Sequence, residues 1–220
     1  MSADGPARAG ARAVDLADAV VVRGGFPLLA GVTVSIEVGT LTVLRGPNGA
    51  GKTSLLRLLA GLEALSGGRG VVVGVDLARA DRRQLRRRVG WVGHEGSFYD
   101  DLTAGENLRF AARALGRPDD VVAGALARVG LASRARTTTR RLSAGQRRRL
   151  ALAWLLVRRA ELWLLDEPYG AVDDEGRALV DHLLAEAVAA GVTVVVSAHE
   201  PLVRPGPHRE VVLAGGRVVP

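Results

Sequence analysis

Short apolar runs separated by glycines and polar residues recur along the first part of the chain. Two of them, residues 19–22 and 32–36, have the composition of strands. A third run, residues 41–44, leads directly into a glycine-rich loop, and the leucines of residues 52–62 then recur at helical spacing. A short strand is expected over residues 71–75. This part is therefore predicted to contain strands followed by a strand–loop–helix unit.

The middle of the chain, about residues 94–160, has the pattern of helices and is predicted to form a helical subdomain. Its first helix has a capping-box start, with Thr103 followed three residues later by Glu106. The three helices predicted here cover residues 102–115, 119–129 and 143–158.

The last part alternates again between strands and a helix. Strands are expected over residues 162–165, 192–197 and 211–213, with a helix between residues 174 and 190. Gly215 and Gly216 predict a closing hairpin turn. Alternation of strands and helices favours an α/β fold with a mostly parallel sheet.

Length and composition indicate a globular protein. Its 220 residues, 48% hydrophobic and 24% charged, suit one domain over residues 13–220, after a disordered segment at residues 1–12. The absence of cysteine excludes disulfides and thiolate metal sites and is compatible with a reducing cytosol. No signal peptide is evident, and no run of about 18 apolar residues would span a membrane.

The net charge of +7 and the isoelectric point of about 11.1 raise the possibility of nucleic-acid binding. The arginines are interspersed with acidic residues, however, and only 4% of the chain is aromatic. Because the charge is not accompanied by a platform on which bases could stack, nucleic acid is not expected as a partner.

One feature of the basic residues is specific: the chain has 29 arginines and one lysine, Lys52. This lysine completes the phosphate-binding pattern G-x-x-x-x-G-K-[ST], in which backbone N–H groups cradle phosphates. A compact ammonium group suits such a cradle better than a planar guanidinium group. We expect Thr53 to ligate Mg²⁺ and Lys52 to reach the β- and γ-phosphates. The nucleotide-binding candidates here are Gly46, Pro47, Asn48, Gly49, Ala50, Gly51, Lys52, Thr53 and Ser54.

Two acids follow the apolar strand of residues 162–165. Acids at the carboxyl end of a core strand face the ligand crevice of an open α/β sheet. Asp166 is therefore expected to hold Mg²⁺ through water, and Glu167 to polarise the attacking water.

The segment of residues 142–146, Leu-Ser-Ala-Gly-Gln, has two interpretations. Ser143 and Gln146 fit a capping box at the start of a helix. Capping does not explain Gly145 or the three arginines that follow Gln146. A helix N-terminus with serine, glycine and arginine is also suited to binding an anion. Both interpretations can hold together.

The order of these motifs resembles the ATP-binding cassette (ABC) ATPase family over about residues 14–220. The resemblance implies an ABC-type core with an antiparallel β subdomain and a helical subdomain. Residues 142–146 are similar to the family signature LSGGQ, whose Ser143, Gly145 and Gln146 positions cap the γ-phosphate of ATP bound to the opposite subunit. The resemblance thus implies a head-to-tail homodimer with ATP sandwiched between the subunits. In this dimer it implies that His199 contacts the γ-phosphate and that Asp173 communicates across the interface.

Two positions depart from the family pattern. Where the family usually has a glutamine that senses Mg²⁺ and the attacking water, this chain has His94, which adds a possible titration near neutral pH. Where an aromatic residue usually stacks on adenine, this chain has Arg23, with Phe26 close by. Stacking on Arg23, stacking on Phe26 and a loosely held adenine remain open alternatives.

The details around residues 93–94, 102–108 and 142–149 resemble the branch of the family that serves cytochrome c maturation. This resemblance implies a peripheral ATPase on the cytoplasmic face of the cell membrane that works with separate membrane-spanning permease subunits. Its cycle would serve haem export or haem-chaperone release, without direct contact between haem and this chain. An exporter of another branch (drug, lipid or ion) is the first alternative. A soluble ABC ATPase that acts on nucleic acid or on an assembly scaffold is the second.

Overall fold

The computed structural model describes residues 10–79, 81–93, 98–170, 172–198 and 207–219. The strands are β1 (Arg12–Arg23), β2 (Phe26–Glu37), β3 (Leu41–Arg45), β4 (Gly67–Val72), β5 (Val75–Asp76), β6 (Val89–Val92), β7 (Leu162–Asp166), β8 (Thr193–Ser197), β9 (Arg209–Ala214) and β10 (Arg217–Val219). The helices are α1 (Lys52–Leu59), α2 (Arg82–Arg88), α3 (Ala104–Ala114), α4 (Val121–Arg128), α5 (Ala144–Arg158) and α6 (Asp174–Ala189).

The strands form two sheets with different pairing. The smaller sheet is antiparallel, with the order β2-β1-β4-β5. The larger has the order β10-β9-β3-β8-β7-β6, in which only β10 is antiparallel to its neighbour. The expected α/β core with an antiparallel β subdomain is therefore confirmed.

Both faces of the larger sheet are covered, which explains why its central strands β7 and β8 are buried at every position and apolar along most of their length. Successive side chains of a strand point to opposite faces. In β7, Trp163 and Leu165 therefore pack in one core with α5 and α6, whereas Leu162 and Leu164 pack in a second core with α1 and the antiparallel sheet. The sheet separates two cores, and the site residues lie where its strands end.

Helices α3, α4 and α5 form the predicted helical subdomain, and two of their starts have the predicted caps. Thr103 and Glu106 make a complete capping box on α3, and Ser143 and Gln146 make another on α5. Within the described residues, no helix is long and apolar enough to cross a bilayer.

Several boundaries differ from the sequence prediction. The strand expected over residues 71–75 is split into β4 and β5, because Val73 and Gly74 turn the chain with φ of 41° and 76°. The helix expected to reach residue 62 ends at Leu59. Strand β1 begins at Arg12, within the segment predicted as disordered, and residues 1–9 lie outside the described part of the chain.

Helix α2 and strand β6, which follow one another between residues 82 and 92, are not predicted by the sequence pattern. Helix α2 is rich in arginine and buries only Leu85, so it lacks an apolar stripe. Asp81 caps it by accepting a hydrogen bond from Arg83 N at 2.9 Å. Strand β6 has four residues, too few for a periodic signal, but it pairs in parallel with β7.

The buried side chain of Asn107 fixes the segment that enters the helical subdomain. Its Nδ2 donates to the carbonyls of Tyr99 and Thr103 at 3.0 and 3.1 Å and to Thr139 Oγ1 at 2.9 Å. Its Oδ1 accepts from Tyr99 N at 2.9 Å. We expect Asn107→Ala to lower the free energy of unfolding by about 2–4 kcal/mol, because several buried polar groups lose their partner.

Urea denaturation of the full chain measures this loss. The matched control is Arg113→Ala in the same helix, which breaks an exposed ion pair with Asp119 and is expected to cost much less, because solvent screens this pair. Equal losses for the two variants would contradict the role assigned to Asn107.

Candidate functional site

The glycine-rich loop between β3 and α1 has a backbone that requires glycine at two positions. Gly46 has φ of 136°, and a Cβ atom there would lie 2.1 Å from the carbonyl oxygen of Leu213. Gly51, with φ of 104°, occupies the cap position of α1, and a Cβ atom there would lie 3.1 Å from the carbonyl oxygen of Leu28. The loop is thus packed against β9 and β2, while its tip, Pro47, Asn48 and Gly49, is exposed.

Lys52 opens α1 and is buried by the loop that precedes it, with 7% of its surface exposed. Its Nζ donates to the carbonyls of Gly46 and Pro47 at 2.7 and 3.2 Å. Ala50 is buried, and Ser54 is partly buried in the first turn of α1. The loop backbone, the N-terminus of α1 and the ammonium group therefore converge as a phosphate cradle requires.

The buried carboxylate of Asp166 joins this cradle to the ends of two strands. Asp166 Oδ2 accepts from Thr53 Oγ1 at 2.7 Å, and Asp166 Oδ1 accepts from Ser197 Oγ at 2.6 Å. The arrangement follows from strand register, because Asp166 of β7 is directly paired with Ser197 of β8. The role of Ser197 was not predicted from the sequence, although a polar residue that closes the apolar run of β8 was the available signal.

The donor set at this position fits Mg²⁺. The hydroxyl of Thr53 and the carboxylate of Asp166 are hard oxygen donors, which Mg²⁺ prefers. The described residues hold no group of three or more His, Cys, Asp or Glu side chains that could bind a metal. Nucleotide phosphates and water would therefore have to complete the coordination, as is usual for Mg²⁺ in such sites.

Glu167 leaves the end of β7 with an unusual backbone. Its φ is 49°, in the left-handed region that residues with side chains rarely adopt. Its N–H donates to Ser197 Oγ at 2.9 Å, and its carbonyl accepts from Gly170 N at 3.2 Å. Backbone strain of this kind persists where the surroundings hold it and is concentrated at functional sites.

The residues after Glu167 are fixed by a buried pair. Tyr169 donates to Asp181 Oδ1 of α6 at 2.6 Å. Burial, followed by this hydrogen bond, raises the pKa of Tyr169, so it stays a neutral donor. The turn that carries Glu167 is therefore anchored to α6.

The Leu-Ser-Ala-Gly-Gln segment starts α5 beside an open cavity of about 610 Å³. The capping interpretation is confirmed, since Gln146 N donates to Ser143 Oγ at 3.2 Å and Ser143 N donates to Gln146 Oε1 at 3.1 Å. Ser143, Gly145 and Gln146 also line the cavity, so the anion interpretation stays compatible with the geometry.

Asp173 also lines this cavity. It caps α6, where its Oδ1 accepts from Gly176 N at 2.8 Å. Arg149 of α5 lies 3.8 Å from Asp173 and 3.2 Å from Glu175. The structure therefore brings Asp173 together with Ser143, Gly145 and Gln146 in one cavity.

The two candidates for adenine stacking face each other across the turn between β1 and β2. Arg23 pairs with Phe26 in the strand register. Arg23 also makes an ion pair with Glu63, which Arg57 Nε contacts at 3.0 Å. Phe26, in contrast, is 74% exposed. Which of them contacts adenine stays a prediction, but Phe26 is the more accessible. His94 and His199 lie outside the described residues.

These features define an ATP-binding cassette ATPase, and the chain belongs to that family. A sequence model of the family described as "ABC transporter" matches residues 29–170. Among solved structures, the chain is similar to the ATP-binding cassette MJ0796 bound to ADP and phosphate, a dimeric post-hydrolysis state. That similarity has a TM-score of 0.85 at 25% identity and covers 93% of this chain and 96% of that one.

Similarity to individual proteins identifies the branch of the family. The chain is 42% identical over 186 residues to the cytochrome c biogenesis ATP-binding export protein CcmA of Nitrosomonas europaea, covering 83% of this chain and 86% of the relative. It is 40% identical over 211 residues to the protein of the same name from Cupriavidus pinatubonensis, covering 95% and 91%. The resemblance to the cytochrome c maturation branch is therefore confirmed, and the chain is an ATP-hydrolysing cassette.

We expect Lys52→Arg to weaken ATP binding at least about tenfold, because the planar guanidinium does not fit where the compact ammonium lies against two loop carbonyls. Titration with a fluorescent ATP analogue measures the Kd. An affinity within twofold of the wild type would contradict the geometric argument.

We expect Ser197→Ala to lower kcat about 10- to 100-fold with little change in the Kd for ATP. The hydroxyl holds Asp166 and the N–H of Glu167 in place, and both of these hydrogen bonds go to the acids rather than to the phosphate loop. Steady-state ATPase assays and nucleotide titration separate the two quantities. If kcat and the affinity for ATP both fell, or if neither changed, Ser197 would not position these acids.

Proposed function

We propose that this chain is the ATP-hydrolysing subunit of a haem-export complex that serves cytochrome c maturation. The observation that carries the proposal is the 40–42% identity to CcmA proteins over most of both chains. The connected geometry of Lys52, Thr53, Asp166 and Glu167 supports the same function. Haem itself is not expected to contact this chain.

In the proposed cycle the phosphate loop and Lys52 bind the β- and γ-phosphates of ATP, and Thr53 and, through water, Asp166 would hold Mg²⁺. When bound, Mg²⁺ would supply charge neutralisation at the transferred phosphoryl group. Glu167 orients and polarises the attacking water at the end of β7. His199 is proposed to contact the γ-phosphate, and His94 to take the place of the residue that senses Mg²⁺ and water.

We further propose that two copies associate head to tail and enclose two ATP molecules. The cavity lined by Ser143, Gly145 and Gln146 supports this arrangement, because it lies at the N-terminus of the 15-residue helix α5. A helix N-terminus presents unsatisfied N–H groups and attracts anions. In each copy, these residues would close over the γ-phosphate held by the partner, and Asp173 would communicate across the interface.

A groove between α2, α3 and α5 supports docking of a membrane-spanning subunit on the cytoplasmic side. Four of the eight aromatic residues of the chain, Phe98, Tyr99, Phe110 and Trp154, line this groove of about 690 Å³. Tyr99 and Phe110 are more than half exposed. Their rings make an edge-to-face contact, with ring centroids 5.4 Å apart. An exposed aromatic cluster of this kind marks an interaction surface.

The proposed pathway is tested by complementation. A bacterial strain deleted for its own CcmA protein is supplied with this chain and the membrane subunits encoded beside it, and c-type cytochromes are detected by haem staining. Restoration by the wild type and failure of Lys52→Arg would support the proposal. Normal ATPase activity of the purified chain without restoration would instead favour an exporter of another branch.

We expect Glu167→Gln to lower the rate of ATP hydrolysis by about 10²-fold or more, because a neutral amide cannot polarise water as the carboxylate does. ATP binding should persist, and the ATP-bound dimer should accumulate. Gel filtration with Mg-ATP and a turnover assay measure both effects. A variant that stays monomeric and turns over normally would contradict the role of Glu167.

We expect Phe110→Ser to leave the ATPase activity of the isolated chain within about twofold but to reduce cytochrome c formation in the complementation assay, because it removes exposed apolar surface from the groove. Val71→Ser is the matched control: Val71 is a 42% exposed apolar residue on β4, outside the groove. Equal effects of the two variants would argue against docking at the groove.

A further inference from the structure

Helix α2 carries positive charges that the described part of the chain does not neutralise. Five of its seven residues are arginines, and Arg88 pairs with the carboxylate of Glu161 through two hydrogen bonds of 2.7 and 2.6 Å. Three of the others are exposed and make no ion pair among the described residues: Arg83, Arg86 and Arg87. Of these three, Arg86 donates to the carbonyl of Gly61 at 3.4 Å.

The spacing of these three arginines places them on one face of α2. Residues three and four positions apart are neighbours on a helix surface, and Arg83, Arg86 and Arg87 have this spacing. All three line the groove between α2, α3 and α5, whereas Arg82 does not. Like charges at this spacing repel one another, and Arg83 in the first turn also opposes the helix dipole. The stability of α2 therefore does not account for this basic face.

The lining of the groove is basic on α2 and mostly apolar on the other elements. No aspartate or glutamate contributes to it among the residues that the structure describes. Arg158 of α5 also lines the groove, but it is held within the chain, over the ring of Trp154 and against the carbonyl of Val89 at 3.1 Å. The exposed rings of Tyr99 and Phe110 supply aromatic surface beside the free arginines of α2.

This combination restricts the chemistry of the segment that docks. Apolar surface alone would accept any apolar helix. Guanidinium groups without carboxylate partners favour acidic side chains in addition, because arginine binds a carboxylate through two parallel hydrogen bonds. Two acids three or four positions apart on a helix would match the spacing of the arginines on α2. Anionic lipid headgroups also attract arginine. The aromatic side chains within a cleft of about 690 Å³ nevertheless favour a protein segment that inserts into it.

We propose that the groove binds an acidic amphipathic segment of the membrane-spanning subunit. Its carboxylates contact Arg83, Arg86 and Arg87, and its apolar side chains pack against Tyr99 and Phe110. The proposal rests on the proposed docking of that subunit at the groove and adds the charge by which the segment is recognised. Complementary charges across an interface steer association and suppress wrong partners. The basic face of α2 thereby selects a permease whose docking segment is acidic.

Co-purification of the tagged full chain with the membrane subunits encoded beside it, in detergent, tests the role of the charge. Arg83→Glu/Arg87→Glu is expected to lower the recovery of membrane subunit at least about tenfold, because like charges would then face each other. Arg69→Glu/Arg82→Glu is the matched control, since it makes the same change in charge at two exposed arginines outside the groove. It is expected to keep recovery within about twofold. A thermal melt and an ATP titration of each variant check folding.

A charge exchange identifies the acids of the partner. Each aspartate and glutamate in the cytoplasmic segments of the membrane subunit is replaced by lysine in turn. At least one replacement is expected to lower recovery with the wild-type chain and to restore it with Arg83→Glu/Arg87→Glu. A loss that came only from damage to α2 would not be restored by a change in the other protein.

The proposal is overturned if Arg83→Glu/Arg87→Glu and its control have equal effects, or if no lysine replacement restores recovery. It is also overturned in favour of lipid if the charge reversal leaves recovery in detergent unchanged but abolishes binding of the chain alone to phosphatidylglycerol vesicles, with phosphatidylcholine vesicles as the blank. If the wild-type chain recovers no membrane subunit, the proposed docking itself fails. That result differs from a complex that forms normally and tolerates the reversed charges.

Discussion

The site depends on the hydrogen bonds of one buried carboxylate. Asp166 accepts from Thr53 on α1 and from Ser197 at the end of β8, and Ser197 in turn accepts from the N–H of Glu167. A buried carboxylate is costly unless such partners are present, so the three elements are constrained to meet. The phosphate loop, the acid proposed to bind Mg²⁺ and the proposed catalytic glutamate are therefore held in register by the same few contacts.

The two-sided core explains how the site can carry a strained residue. Alternate side chains of β7 are packed into different cores, so the strand cannot shift by one residue without exchanging its buried faces. Glu167 follows immediately, with φ of 49°, and its turn is anchored by Ser197 on one side and by the Tyr169–Asp181 pair on the other. The surroundings thus hold a conformation that the local sequence does not favour.

The sequence was sufficient for features that depend on local pattern. The phosphate loop, the capping boxes of α3 and α5 and most of the central strands follow from spacing and composition alone. Helix α2 was missed because its only buried residue is Leu85, and Ser197 because its role arises from the pairing of β8 with β7. The burial of Arg148 on α5 could not be predicted, since only the phase of the helix and the position of β6 distinguish this arginine from its neighbours.

The arginines at the start of α5 raise an apparent conflict, because positive charge is unfavourable near a helix N-terminus. In the structure each of the three arginines contacts a different group. Arg147 pairs with Asp100, Arg148 turns inward to the carbonyl of Gly93, and Arg149 lies beside Glu175. The capping box satisfies one N–H of the first turn, through Gln146 N, so capping leaves other N–H groups at the cavity. Because capping uses only one of these N–H groups, and the arginines make their contacts within the chain, capping and anion binding do not compete for the same groups.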